Sequence, residues 1–201
     1  MTAYSGGGMW FPCNAVLQRA GSDDTMEAAR AYYRAVVGDR TPVALQDAFL
    51  ETGRVLVDYL ERDSRIRFVV FPWPDYYGKV AHARADGRHI VPEPFPASEL
   101  GPLKAKLRPA LAEERRGEPA PEELEGGQAL IGRFLIVLSQ MPNVRMHLET
   151  PLVSLVREDG RVTGAVVRQG EATRRIEARR GVVIAAGGFE RNDELRAQHG
   201  V

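Results

Sequence analysis

One cysteine in 201 residues, Cys13, rules out an internal disulfide framework. The four histidines, His82, His89, His147 and His199, stand at no metal-ligand spacing with it or with one another, so no metal site is expected. Cys13 reads as a small buried hydrophobe rather than a nucleophile. Also missing is any run approaching the roughly 18 to 20 apolar residues that a membrane-spanning helix needs. The N-terminus carries no basic segment followed by an apolar one, so a cytoplasmic, reducing setting is the default. Charge of one sign is absent too: 27 Lys and Arg against 27 Asp and Glu leave a formal charge of zero, and no global field draws nucleic acid or an anionic membrane. What is present, 44% apolar residues in a chain of this length, is the composition of a folded globular protein of one sizeable domain or two small ones.

Helical periodicity opens at "SDDTMEAARAYYRAVVGD", residues 22–39, with Asp24 expected to cap, Glu27 three residues on, and Met26, Ala29, Tyr33, Val36 and Val37 on one face. Gly38 suits the left-handed position after it. A second helix is expected from "TPVALQDAFL", with Thr41 as cap, Pro42 in the first turn, and Phe49, Leu56, Tyr59 and Leu60 inward. The two form a helical hairpin. "IRFVVF" (66–71) reads as a strand. Between Pro72 and Pro121 lie most of the prolines without sustained periodicity, an irregular excursion with one short helix near 101–115. A third long helix follows at "GGQALIGRFLIVLSQM", where Leu130, Ile131, Phe134, Leu135 and Leu138 form an apolar face.

Four short strands are then expected, at 144–149, 152–158, 161–168 and 173–179, with Asp159-Gly160 as a two-residue hairpin turn and "QGEA" as the next turn. The last expected strand is Val182–Ala186, an apolar run bounded by glycines, the pattern of a strand buried on both faces of a parallel sheet. It leads into Gly187-Gly188, at the strand end where open α/β sheets bind ligands. Glycines there let a ligand approach the backbone, whose amides donate to phosphate or to polar ring atoms. A second glycine cluster, "SGGGMWFP" (5–12), stands before any strand that could position it.

Taken in order, "TAYSGGGMW", the helix-and-meander centre and "GVVIAAGGFERN" resemble the fumarate reductase and 3-ketosteroid Δ1-dehydrogenase family of FAD-dependent oxidoreductases. "GGGMWFPCN" is similar to the Gly-Gly-Gly-aromatic-Pro-Asn run of the 3-oxosteroid Δ1-dehydrogenases, and "WPDYYGK" with "GRHIVPEPF" to their active-site tyrosine loop. Cys13 departs from the small polar residue expected at its position. The resemblance covers essentially the whole chain and implies an α/β fold: a partial Rossmann-like FAD-binding domain with a helical hairpin insertion and a β-meander. It implies a flavin-contacting loop at 1–21, a helical and irregular insertion at 22–127 that carries the tyrosine loop, and the helix, meander and final strand at 128–201. The strand, G-x-G-x-x-G turn and helix that open such domains are expected upstream of Thr2, and a substrate domain beyond Val201.

The resemblance further implies FAD as cofactor and a small-molecule substrate, a 3-ketosteroid, that loses a proton to a tyrosinate base and a hydride to the flavin. Tyr76 aligns with the tyrosine that hydrogen-bonds that base, or Tyr77 if the register slips by one. The base and the ketone-polarising groups are expected beyond Val201, so the 201 residues alone are expected not to dehydrogenate steroids. Thr2, Ala3, Ser5, Gly6, Gly7 and Gly8 are the expected flavin contacts of the first loop, Leu152 that of the meander, and Ala185, Ala186 and Gly187 those of the last turn. The alternatives are a flavoenzyme of the fumarate or urocanate reductase type, and an inactive fragment or binding subunit whose sheet a second polypeptide completes.

Overall fold

Asn14 starts the first helix. Its carboxamide oxygen accepts from the amides of Val16 and Leu17 at 2.9 and 3.1 Å, a side-chain cap for α1 (Ala15–Arg19). In the computed structural model, which describes residues 2–200, the chain divides into two units, Met1–Arg145 and Met146–Val201. A 3-10 turn at Thr2–Tyr4 and strand β1 (Met9–Trp10) precede α1.

The helical hairpin forms as expected, with three adjustments at its ends, the first being that Gly38 has φ +62° but ψ −137°, outside the left-handed helical position expected of it. Helix α2 (Met26–Val37) is capped by Thr25, whose hydroxyl accepts from the Ala28 amide, because Asp24 is engaged by Arg88. Helix α3 (Val43–Leu60) has Pro42 at its cap position, and the Thr41 carbonyl accepts instead from Gln46 Nε2 at 2.7 Å. The inward stripe of α3 is Gln46, Leu50, Gly53 and Val57, while Phe49, Leu56 and Tyr59 are exposed. Gly53 explains the rotation: a side chain there would strike the Phe11 ring, so this face packs closest. On α2 it is Tyr32, not Tyr33, that is buried, and Tyr33 stacks between Trp10 and Phe49.

The proline-rich excursion is more ordered than its composition implies. After β2 (Phe68–Phe71) come β3 (His89–Pro92), β4 (Phe95–Pro96), a 3-10 stretch at Ala97–Lys106, α4 (Leu111–Arg116) and β5 (Glu123–Leu124). Strand β3 is central in an antiparallel sheet of order β1-β3-β2, pairing Trp10 with His89 and His89 with Phe71. Beneath the sheet lies a core of Val16, Leu17, Val57, Ile66, Phe68 and Ile90, with Phe11, Leu130 and Phe134 packed on it. Full burial of an aliphatic side chain such as Ile90 contributes about 1.5–3 kcal/mol. Helix α5 (Gly126–Ser139) packs through Ala129, Gly132, Arg133 and Leu135. Arg133 is buried because its guanidinium donates to the carbonyls of Glu93 and Arg65 and lies over the Phe95 ring at 4.9 Å.

In the second unit β6 (Leu152–Glu158), β7 (Arg161–Gln169) and β8 (Ala172–Glu177) form the expected meander. Asp159 and Gly160 both have positive φ, the conformation that a tight hairpin of this hand demands. Two expected strands do not form. Residues 144–149, flanked by Pro142 and Pro151, run as turns and irregular chain, since alternation alone supplies no neighbouring ladder. Val182–Ala186 is likewise irregular, and Val183 is 93% exposed, because a strand needs a hydrogen-bonded partner and no strand among the described residues pairs with it. Helix α6 (Asp193–His199), capped by Asn192, ends the described chain. Among the described residues no helix is long and apolar enough to cross a membrane.

Candidate functional site

The glycine cluster is held by an interlock with the start of α5. Ser5 Oγ donates to the Thr2 carbonyl at 2.8 Å and accepts from the Gly7 amide at 3.1 Å, folding residues 2–7 into a tight curl. Gly7 has φ +66° and faces the backbone of Gly126 and Gly127 so closely that any side chain would collide. The Gly127 amide donates to the Ser5 carbonyl at 2.8 Å, completing the crossing. Gly6 differs. Its side-chain direction meets nothing within 4 Å, and its amide donates to no atom of the described residues. An open glycine face with a free N–H is chemically suited to a planar group that brings a polar edge against backbone, and a flavin ring is such a group.

The sheet supplies the facing wall. Gly6, Gly7 and Gly8 line a cavity of about 470 Å³ together with Trp10, Phe71, Trp73, Tyr76, His89 and Val91. Strand alternation explains the set: His89 and Val91 share one face of β3, while Ile90 points into the core with no exposure. Phe71 and Trp73 stack with ring centroids 5.8 Å apart and 9° between planes. Tyr76, 79% exposed, meets His89 edge-on at 5.9 Å.

Tyr76 sits on a loop with a charged anchor. Its neighbour Asp75 accepts from Trp10 Nε1 at 2.7 Å and from the Arg84 amide at 3.0 Å, and it pairs with Arg88. Arg88 in turn donates to Asp24 through Nε and Nη2 at 2.7 and 2.9 Å. Its guanidinium lies 5.3 Å from the Tyr32 ring centroid and 5.7 Å from that of Trp10. Cys13 is buried beside this network, its thiol 3.5 Å from the Asp24 carbonyl, and burial first, then the Asp24 charge, pushes the thiol pKa up. Such a thiol stays protonated and inert. On the other flank of the glycine loop, Tyr4 donates to Glu114, and Arg108 lies 4.2 Å over its ring. Hydrogen bonds first from Arg108 and then from Tyr4 hold the Glu114 carboxyl down to about 2.

Of the residues that the sequence singles out, Ser5, Gly6, Gly7, Gly8 and Tyr76 converge on one cavity, with Thr2 and Ala3 in the turn just before them. Tyr77 does not line it, its amide being held by Tyr32 Oη at 3.2 Å. Leu152, which opens β6 and pairs with Val167, and the exposed Ala185, Ala186 and Gly187 belong to the second unit. Sequence reasoning missed Trp10, Phe71, Trp73 and His89 as cavity residues and Arg88 as the anchor. The period-two step from His89 to Val91 was the available signal.

The family described as FAD binding domain matches residues 1–201. The chain is 39% identical over 203 residues to a 3-oxosteroid 1-dehydrogenase of Rhodococcus opacus, covering 99% of this chain and 39% of that protein. It is 34% identical to a 3-oxosteroid 1-dehydrogenase of Mycobacterium tuberculosis, covering 98% of this chain and 42% of the relative. The chain thus spans about two fifths of the length of these relatives. The crystal structure of 3-ketosteroid delta1-dehydrogenase from Sterolibacterium denitrificans, in complex with 1,4-androstadiene-3,17-dione, superposes with a TM-score of 0.82 at 27% identity, over 98% of this chain and 42% of that one. The expected α/β flavoprotein architecture is therefore present, and the chain belongs to the FAD-binding domain family, with FAD as its cofactor.

Proposed function

We propose that this chain is the flavin-holding portion of an enzyme that dehydrogenates a ring carbon pair of a 3-ketosteroid in a cytoplasmic setting. One observation carries the reading: the glycine loop and Tyr76 face the same aromatic-walled cavity. In this reading Thr2, Ala3 and Ser5 to Gly8 are the flavin contacts that the first unit supplies, and Leu152, Ala185, Ala186 and Gly187 are backbone contacts read for the second unit by itself. Bound FAD supplies the hydride acceptor. Tyr76 donates its hydroxyl hydrogen to a tyrosinate base, stabilising the charged form and keeping it ready to take the proton next to the ketone. Trp10, Phe71 and Trp73 exclude water and give the apolar rings a flat surface.

The test is to load the 201-residue chain with FAD and follow two signals. A flavin absorbance that stays with the protein, together with quenching of its two tryptophans, Trp10 and Trp73, by the 3-ketosteroid testosterone, which carries both a ketone and a hydroxyl, supports the reading. Flavin lost on desalting, or unaltered tryptophan emission, overturns it. A second reading, a subunit that completes its sheet with a second polypeptide, is favoured by the exposed apolar segment Val183-Ile184, which has no ladder partner among the described residues. Its test is whether the chain alone sediments as one species or as an associating mixture.

A further inference from the structure

Among the described residues, His89 is the one buried ionisable group in the cavity wall. Only 8% exposed, it is fixed from both sides by β1 and β2 and lies edge-on to Tyr76. Its Nδ1 lies 3.2 Å from the Trp73 carbonyl, which has lone pairs and no hydrogen to give, so Nδ1 carries the proton. Gly87 makes this approach available, since a side chain there would occupy the space of the Trp73 carbonyl. In the neutral ring Nε2 then holds the lone pair. Nε2 has no hydrogen-bond partner among the described residues and is not among their sealed unsatisfied atoms, while the side chain lines the cavity.

We propose that His89 is a specificity-determining acceptor, which selects ring ligands that carry a hydroxyl at the end seated against β3. This rests on the reading of the cavity as a ring-binding site and deepens it. A neutral imidazole acceptor repels the lone pairs of a ketone, so a ketone oxygen faces away from His89 and a hydroxyl faces toward it. Apart from the Gly6 amide and the Tyr76 hydroxyl, both donors given to other partners in this reading, the walls are aromatic or aliphatic, and Ser5 Oγ is already satisfied as donor and acceptor. An unmatched Nε2 under a bound apolar ring would lose water without compensation, which turns one acceptor into a filter.

Calorimetry on the FAD-loaded chain at pH 8 tests the inference, with estrone and its 3-methyl ether as probes, the first carrying one hydroxyl donor and the second none. The phenol is expected to bind roughly fivefold to tenfold more tightly than the ether, the ratio that one neutral hydrogen bond supplies. His89→Asn, whose shorter amide keeps a donor toward the Trp73 carbonyl and places no acceptor where Nε2 stands, is expected to bring the ratio to about one by the same reasoning. Equal affinity of the wild-type chain for both compounds overturns the inference and leaves the cavity reading intact, as does a ratio that survives His89→Asn. Binding of neither overturns both. Should His89→Asn fail to fold, nitrogen NMR of the wild-type chain decides: the phenol moves the His89 Nε2 resonance and the ether does not, and identical shifts overturn the inference.

Discussion

Arg88 and Asp75 form an ion pair with side chains 1% and 0% exposed, and the same guanidinium also holds Asp24, at 2%. One cation therefore serves two buried carboxylates from the start of α2 and from the tyrosine loop. Replacing Arg88 by Met keeps much of the volume but leaves both carboxylates buried and unpaired. The expected cost is about 3–5 kcal/mol in urea unfolding, the range for an orphaned buried charge. A loss below about 1 kcal/mol, the ordinary worth of an exposed pair, would show that the network is not sealed in solution.

Gly87→Ala makes a separate test of the same loop. Gly87 has φ +70°, and a β-carbon there would fall on the Trp73 carbonyl that orients His89. Gly38 has a similar φ, +62°, but open space around it. Gly38→Ala is expected to show the conformational penalty alone, about 1–3 kcal/mol, and Gly87→Ala clearly more. Equal melting temperatures for the two variants would remove the close approach from the account.

The pH dependence of the tie between the glycine loop and α4 follows from Glu114. Its carboxyl is lowered from an ordinary 4.5 to about 2, first by Arg108 and then by Tyr4. A depressed carboxylate stabilises the fold above its unfolded value and loses that contribution as pH falls through its folded value, so the window here runs from about 4.5 down to about 2. Carbon NMR of the Glu114 carboxyl should titrate near 2 in the native chain and return toward 4.5 in Arg108→Ala. An ordinary midpoint in the native chain would place Arg108 away from Glu114.

Local chemistry was the legible part. The hairpin helices, the α5 helix, the Asp159-Gly160 turn and the meander rest on periodicity and turn residues within about a dozen positions of one another. The glycine loop was found by its composition, and its connection to Gly126 and Gly127 was not, because that contact spans some 120 residues and leaves no periodic trace. Strand β3 was hidden for a related reason: four residues, the last of them Pro92, carry too little pattern, and their pairing with Trp10 and Phe71 is tertiary. Asp24 illustrates competition. It had the right place for a cap, but a buried guanidinium offered two charge-assisted hydrogen bonds, and Thr25 capped instead. The pattern at Val182–Ala186 shows the converse, since apolar residues specify a strand only where an edge receives it.

The glycine loop gives the sharpest separation of stability from cofactor binding. Gly6 and Gly7 are adjacent, yet Gly7 is locked against the α5 backbone at positive φ while Gly6 faces open space and its amide meets no acceptor among the described residues. If the flavin lies against Gly6, a methyl group at that position intrudes only when the cofactor is present. Gly6→Ala is therefore expected to melt within about 1 °C of the native chain without FAD, surface changes being within about 0.5 kcal/mol. It is also expected to weaken FAD binding by roughly tenfold or more, the equivalent of about 1.4 kcal/mol. Gly7→Ala should lower the melting temperature sharply before any question of FAD arises, because its side chain has nowhere to go in either state. Thermal scans with and without FAD, run side by side, read both effects. Unchanged FAD affinity in Gly6→Ala would move the flavin off this loop, and an equal loss of apo stability in the two variants would mean that Gly6 is packed rather than open.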